Sequence, residues 1–183
     1  MKVAVCDYGA GNVRSVVVAL ERLGAMATVT TDPGAVAAAD FALLPGVGSA
    51  GSAMRALQRT GVGEALRRRV EAGTPVLGIC LGLQLALEET DEDGGVAGLG
   101  LLPGRAVRLR AGRVPRMGWA VVEPYAEAYY FAHSYAAETP AASARSEGVV
   151  AEARLGSFVG VQFHPEKSGP AGARYLERCL SRD

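Results

Sequence analysis

The sequence is poor in the residues that most often announce a function. Its 183 residues contain two histidines, one tryptophan and three cysteines. Cys6, Cys80 and Cys179 are odd in number and far apart, so they form no disulfide framework, and no C-x-x-C pair offers thiolates to a metal. With only His133 and His164 besides, the residues speak against a structural zinc site, and no metal or cofactor is expected. Neither sign of charge is in excess, with 19 Lys and Arg against 19 Asp and Glu. Binding to nucleic acid or an anionic membrane needs clustered cations to neutralise phosphates, so neither partner is expected. The longest mostly apolar stretch, Pro75 to Leu87, carries Gln84 and falls short of the ~20 residues that span a bilayer. The chain meets Asp7 after only a few apolar residues, which leaves no signal-peptide core. These absences predict a soluble, cytoplasmic protein.

What is abundant is glycine, 24 residues of 183, about twice the usual ~7%. Many tight turns or close backbone approaches are implied. The length fits one domain, residues 1–183, with enough chain to bury a core.

The order of elements predicts an α/β fold. Val3 to Cys6 reads as a strand, Tyr8 to Gly11 as a Gly-rich turn, and Asn12 as a helix N-cap. Val13, Val16, Val17, Leu20 and Leu23 then recur at helical spacing, and Gly24 supplies the stop. A strand at Ala27 to Thr31, a short helix near Ala35 to Ala39 and a strand at Phe41 to Leu44 follow. Gly51 to Ala72 reads as helical, and Val76 to Ile79 as a fourth strand. Continuously apolar strands alternating with amphipathic helices predict an open, mostly parallel twisted sheet covered on both faces. After about Asp91 the rhythm changes. Asp91 to Gly100 reads as loop, followed by strand-like pieces at 106–110, 120–123, 129–132, 149–154 and 157–163. They predict a partly antiparallel extension in the C-terminal half, closed by a helix from about Ala171 to Leu180.

The sharpest local feature is Gly78-Ile79-Cys80-Leu81-Gly82, where a strand meets a helix. Glycines on both sides let the backbone turn sharply, so that the central side chain projects above the sheet as a nucleophile elbow. The helix from Leu81 to about Glu88 turns its positive end to the sulfur, favouring a thiolate, and its first amides can receive an oxyanion. A buried, inert cysteine in a Gly-containing strand is the other reading. Cys6 and Cys179 lack turn glycines and read as inert. A thiol nucleophile needs a proton acceptor. His164 ends a strand, Pro165 holds it extended, and Glu166 lies two positions on, on the same side of an extended chain. Cys80, His164 and Glu166 can therefore form a triad, although a satisfied imidazole at a strand end has the same local sequence. His133-Ser134-Tyr135 is a second polar cluster, or a strand end that satisfies only its own backbone. Pro45-Gly46-Val47-Gly48 ends the third strand, where parallel sheets keep their ligand crevice. Its glycines would let an amide approach an oxyanion, or mark an ordinary turn. Trp119 is either core or, beside Gly118 and Arg116, part of a docking surface.

Together these residues resemble the class I (triad) glutamine amidotransferases, of flavodoxin-like fold, over essentially the whole chain. G-I-C-L-G-L-Q at 78–84 and Q-F-H-P-E at 162–166 are similar to the two halves of that family's catalytic site. D-Y-G-A-G-N-V-R-S at 7–15, L-P-G-V-G-S at 44–49, G-L-G-L-L-P-G at 98–104, P-R-M-G-W at 115–119, Y-F-A-H-S-Y at 130–135 and H-P-E-K-S at 164–168 resemble the branch that serves histidine biosynthesis. The resemblance implies that Cys80 attacks the side-chain amide of L-glutamine, that His164 moves the proton and that Glu166 holds His164. It implies an oxyanion hole from the amides of Leu81 and, after a local rearrangement, Val47. It places Gly46, Gly48, Gln84, His133, Ser134 and Tyr135 around the substrate. It implies a (β/α)8-barrel cyclase subunit as partner, with Asn12, Trp119, Tyr130 and Lys167 at the interface and Tyr130 and Lys167 near the ammonia exit.

The chain departs from the family where Arg116 replaces a usual His and Ala120 a usual Asn, and where the connection from Trp119 to Tyr129 is short. These departures bear on the interface and leave the triad intact. Three other functions share parts of the pattern. A glutaminase for another acceptor pathway, such as pyridoxal phosphate or anthranilate synthesis, fits less well with Lys167 and the P-R-M-G-W segment. An oxidant-sensing cysteine protein of the same fold class would not need H-P-E. A non-catalytic flavodoxin-like binding subunit would use Cys80 only structurally.

Overall fold

A computed structural model describes residues 1–9, 13–110 and 112–181. The expected cap Asn12 lies outside the described residues. In chain order the elements are β1 (Lys2–Cys6), α1 (Val13–Arg22), β2 (Met26–Thr30), α2 (Pro33–Ala38), β3 (Phe41–Leu44), α3 (Ala50–Thr60), α4 (Val62–Glu71), β4 (Val76–Ile79), α5 (Leu81–Ala86), β5 (Glu89–Thr90), β6 (Val96–Ala97), β7 (Arg105–Arg108), β8 (Arg116–Val122), β9 (Glu127–His133), β10 (Tyr135–Glu138), β11 (Ala142–Ser146), β12 (Val149–Leu155), β13 (Phe158–Val161) and α6 (Gly169–Ser181). A seven-stranded sheet runs in the order β11-β12-β13-β4-β3-β1-β2. Neighbours from β13 to β2 are parallel, and β11, β12 and β13 pair antiparallel. The mostly parallel sheet with an antiparallel extension is thus present. Further extension strands form two small sheets, β10-β7-β5-β6 and the hairpin β8-β9.

Alternation along each strand sorts the core onto two faces. Val3, Val5, Leu43, Leu77, Ile79 and Val161 pack with Val16 and Leu20 of α1 and Tyr175 and Leu176 of α6. Ala4, Cys6, Ala42, Leu44, Val76 and Phe158 face the other way, against Val36, Met54, Leu57, Leu66 and Leu83 from α2 to α5. Each large apolar side chain buried this way contributes about 1.5–3 kcal/mol. Burial pushes the Cys6 thiol up to about 12 and the Cys179 thiol up to about 11, which keeps both protonated and inert.

The structure corrects several boundaries. The helical region 51–72 is two helices, because Gly61 adopts φ 77° and its N–H caps the end of α3 on the Gln58 carbonyl. Helix α5 stops at Ala86 rather than Glu88. The loop read at 91–100 contains a 3-10 turn at Glu92–Gly94 and the short β6. β10 and β11 are strands without strand periodicity in their sequence, and β8 starts earlier than residue 120, which puts Trp119 mid-strand.

One carboxylate ties the extension to α6. Glu152 on β12 has no exposed surface. It accepts hydrogen bonds from Tyr125 at 2.6 Å, from Ser143 at 2.6 Å, from the Tyr175 hydroxyl and from the Arg154 guanidinium. Burial opposes the charge, yet these donors hold the carboxyl below its usual 4.5. A depressed carboxyl contributes stability that is complete above its unfolded value and is lost as pH falls through the folded value. We therefore expect Glu152→Gln to be less stable than wild type at pH 7, by about 1–3 kcal/mol, with the gap closing below pH ~4. Thermal unfolding followed across that range checks this; a gap independent of pH would contradict it.

Candidate active site

The loops at the carboxyl ends of β3, β4 and β13 converge on one cavity. Cys80 stands between β4 and α5 with φ 52° and ψ −105°, a conformation that side chains rarely adopt. Its main-chain N–H donates to the Val161 carbonyl at 2.7 Å, which fastens the corner to β13. The neighbouring glycines are required by contact. A Cβ on Gly82 would stand 2.1 Å from the Leu44 carbonyl oxygen, one on Gly78 2.8 Å from the Gly82 carbonyl, and one on Gly46 2.3 Å from the Leu81 nitrogen. Strand β3, its following loop and the elbow are therefore packed backbone to backbone. Leu81 opens α5, where a helical amide has no acceptor upstream in its own helix.

His164 and Glu166 meet as the spacing implied, with Nδ1 2.8 Å from a carboxylate oxygen and both side chains buried. Burial disfavours a charged imidazole here. Hydrogen bonds to the Cys80 sulfur and to Glu166, with their negative charge, outweigh it and push His164 up to about 9. The ring is charged at neutral pH and bridges sulfur and carboxylate. Around the sulfur, the Gln162 amide donates to Sγ at 3.5 Å, and the Ala132 carbonyl lies 3.8 Å away.

A cavity of about 280 Å³ collects Gly46, Val47, Gly48, Cys80, Leu81, Gln84, His133, Ser134, Tyr135, His164 and Lys167, with Glu92, Pro115 and Ala132 completing the wall. Glu166 stands behind His164, outside this lining. Gln84 is buried, and its amide donates to the Tyr135 carbonyl at 2.9 Å and to Gln162 at 3.2 Å, joining β10 to the end of β13. His133 Nδ1 lies 2.8 Å from the Tyr135 carbonyl and Nε2 has no partner. Burial, above all, lowers this imidazole to about 4, so it is neutral, with its proton on Nδ1. The Pro45 carbonyl accepts a 2.5 Å hydrogen bond from the Tyr8 hydroxyl, whose oxygen in turn receives the Val47 main-chain N–H. Among the described residues no group of three or more His, Cys, Asp or Glu side chains could hold a metal ion. No described helix is long and apolar enough to cross a membrane.

The structure adds Glu92, Gln162 and Tyr8 to the site. The Glu92 carboxylate accepts from the Ala50 N–H at 3.0 Å, capping α3 from a distant loop while lining the cavity. The acidic run Asp91-Glu92-Asp93 was its only signal. Trp119 and Tyr130 lie outside the cavity, paired across β8-β9 with ring centroids 6.1 Å apart. Met117, Trp119 and Val121 alternate along β8, are 66%, 59% and 53% exposed, and form an apolar stripe. Arg116 donates to Ser146 at 2.9 Å and Glu147 at 2.8 Å and covers the Phe131 ring, pinning the hairpin to the turn between β11 and β12.

Comparison with known proteins agrees with this geometry. The profile of the family "Glutamine amidotransferase class-I" matches residues 4–182. A Thermus thermophilus protein described as "Imidazole glycerol phosphate synthase subunit HisH" is 45% identical over 188 residues, covering 96% of this chain and 95% of that one. A Methanothermobacter thermautotrophicus protein of the same description is 46% identical, covering 97% of each. Among solved structures, a glutamine amidotransferase crystal structure superposes with a TM-score of 0.83 at 21% identity over 99% of both chains. "PurLQS from Thermotoga maritima" gives 0.74 at 17% identity over 99% of this chain and 97% of that one. At such identities the structural matches speak for the fold alone.

If Glu166 helps hold the charge on His164, Glu166→Gln lowers the imidazole from about 9 toward its ordinary 6.5. An NMR titration of the ring protons checks this, and an unmoved titration would leave Glu166 without electrostatic influence on the base.

Proposed function

Because the chain belongs to the class I glutamine amidotransferase family, we propose that it is the glutaminase subunit of an imidazole glycerol phosphate synthase, folded as one domain over residues 1–183. The observation that carries this reading is the convergence of Cys80, His164 and Glu166 at one strained corner of the sheet, in a chain with relatives of that description at 45–46% identity. Substrate L-glutamine enters the cavity with its carboxamide at Cys80. Glu92, the carboxylate on the wall, suits the α-ammonium group, and the Gln84, His133, Ser134 and Tyr135 side hosts the rest of the amino-acid end.

The sulfur attacks the carboxamide carbon while its proton resides on His164. Negative charge develops on the carbonyl oxygen and is met by the Leu81 N–H. The Val47 N–H joins it once the loop turns away from Tyr8, the rearrangement that Gly46 and Gly48 permit. Collapse breaks the C–N bond, and His164 gives its proton to the departing ammonia. Water, losing a proton to His164, then splits the thioester and releases glutamate. Glu166 holds the ring in the tautomer this relay needs.

Ammonia passes to a (β/α)8-barrel cyclase subunit, which makes imidazole glycerol phosphate and the aminoimidazole carboxamide ribotide (AICAR) in histidine biosynthesis. The apolar stripe of Met117, Trp119 and Val121 supports a docking face there, since buried tryptophans are common interface anchors. Lys167 lines the cavity and the Tyr130 ring meets Trp119, so both suit the exit; the family resemblance assigns Asn12 to the same interface. A free-thiol nucleophile suits the reducing cytoplasm.

Glutamine hydrolysis should be weak for the chain alone and stimulated by a cyclase subunit with its ligand. Cys80→Ala should lose at least about 10³-fold in glutamine-dependent turnover while leaving ammonia-dependent cyclisation intact. Hydrolysis that survives the substitution would reject Cys80 as nucleophile. Titrating the cyclase subunit against Trp119 fluorescence should give a saturable spectral shift; an unchanged spectrum at saturation would remove Trp119 from the interface.

A further inference from the structure

His164 sits just past β13 and opens the 3-10 turn Pro165–Lys167, whose Lys167 N–H donates to the His164 carbonyl at 3.0 Å. What fixes it against the rest of the fold is Tyr130 of β9. The His164 N–H donates to the Tyr130 carbonyl at 2.8 Å. In an antiparallel pair of strands the Tyr130 N–H would return the bond to the His164 carbonyl. Here a side chain stands between them: the Ser168 hydroxyl accepts from the Tyr130 N–H at 2.9 Å and donates to the His164 carbonyl at 2.6 Å.

Ser168 is 1% exposed and is itself held. Its N–H donates to the Pro165 carbonyl at 3.0 Å, and its carbonyl accepts from the Gly172 N–H at 3.1 Å. A Cβ on Gly172 would come within 1.9 Å of the Pro165 oxygen and 2.9 Å of the Ser168 Cβ, so the start of α6 presses the turn into place. A buried hydroxyl with its donor and an acceptor site both engaged has little freedom, and both of its partners are main-chain atoms that bear on the direction of the imidazole.

We propose that Ser168 is a positioning residue for the reaction, relaying one of the two main-chain bonds that fix His164 against β9 and so setting the aim of the imidazole at the Cys80 sulfur. The assignment rests on the reading of His164 as the proton carrier. It also ties that aim to the docking hairpin, because Tyr130 carries both bonds on its main chain and meets Trp119 with its ring.

The test compares Ser168→Ala and Ser168→Cys with wild type, each assembled with a cyclase subunit, by glutamine-dependent kinetics. Small displacements of a catalytic group cost up to ~10²-fold in rate. Ser168→Ala should therefore lower kcat about 10- to 100-fold with KM for glutamine near the wild-type value, since the cavity wall is untouched. Ser168→Cys, of similar size and weaker hydrogen bonding, should fall between the two and carries the test should the alanine variant not fold. A folded Ser168→Ala enzyme with wild-type kcat, or one whose loss lies in KM, would overturn the proposal. Wild-type hydrolysis that survives Cys80→Ala would instead overturn the reading of the site on which it rests.

Discussion

A cysteine held at φ 52° is a conformation the chain would leave if it could, at a cost of order 1–3 kcal/mol. What holds it is the contact of three backbones. Gly46 lies against the first amides of α5, Gly82 against the end of β3, and Gly78 against Gly82, at separations that leave no room for a Cβ. Because β3 and β4 are adjacent parallel strands, the loop after one and the elbow after the other are pressed together by the sheet itself. The same contact brings the Pro45–Gly48 loop against the first amides of α5. The Cys80 corner and the amides around it are thus one packing problem with one solution, glycine at each approach.

The second dependence is electrostatic. An imidazole buried as deeply as His164 would ordinarily lose its charge, and its neighbour His133 does so. Both rings line one cavity, yet one is raised to about 9 and the other lowered to about 4. Negative partners make the difference: His164 has the sulfur and a buried carboxylate, whereas His133 has a carbonyl and lies in the field of Arg116. One cavity therefore holds a ring that keeps its charge and a ring that loses it.

Most of this was legible in the sequence, for identifiable reasons. Strands such as Phe41 to Leu44 are short, continuously apolar and bounded by Gly or Pro, and β3 begins and ends where they predict. G-x-C-x-G and H-P-E encode their local geometry directly, through turn glycines and the side-chain period of extended chain. What escaped depends on partners distant in sequence. The break at Gly61 looks from composition like an ordinary helical glycine, and only packing decides that the chain turns there. β10 and β11 are polar, Ala- and Ser-rich segments with little strand signal, and they exist because β7 and β12 pair with them. Glu92, Gln162 and Ser168 gain their roles from residues 42, 82 and 38 positions away.

Strand β9 shows how few residues the design needs. Tyr129, Phe131 and His133 alternate inward; the first two stack with Phe163 and Tyr175 in the core and the third closes the cavity wall. Tyr130 and Ala132 lie between them. Tyr130 anchors the main chain of His164 and meets Trp119, while the Ala132 carbonyl faces the sulfur. A strand pairs rigidly along its length, so a partner pressing on the Trp119 side of the hairpin acts on the element that also borders sulfur and base. Arg116, where the family usually carries His, fastens the other strand of the hairpin to Ser146 and Glu147. The far end of that strand is fastened as well: the Ser146 hydroxyl donates to the Val121 carbonyl at 2.7 Å, and Glu123 exchanges main-chain hydrogen bonds with Arg145. Beside the β8–β9 turn, Glu127 also pairs with Arg174 of α6, so a partner docking on the exposed stripe meets a hairpin fixed at both ends, and its pressure is carried by the packed strands to the edge that borders the cavity.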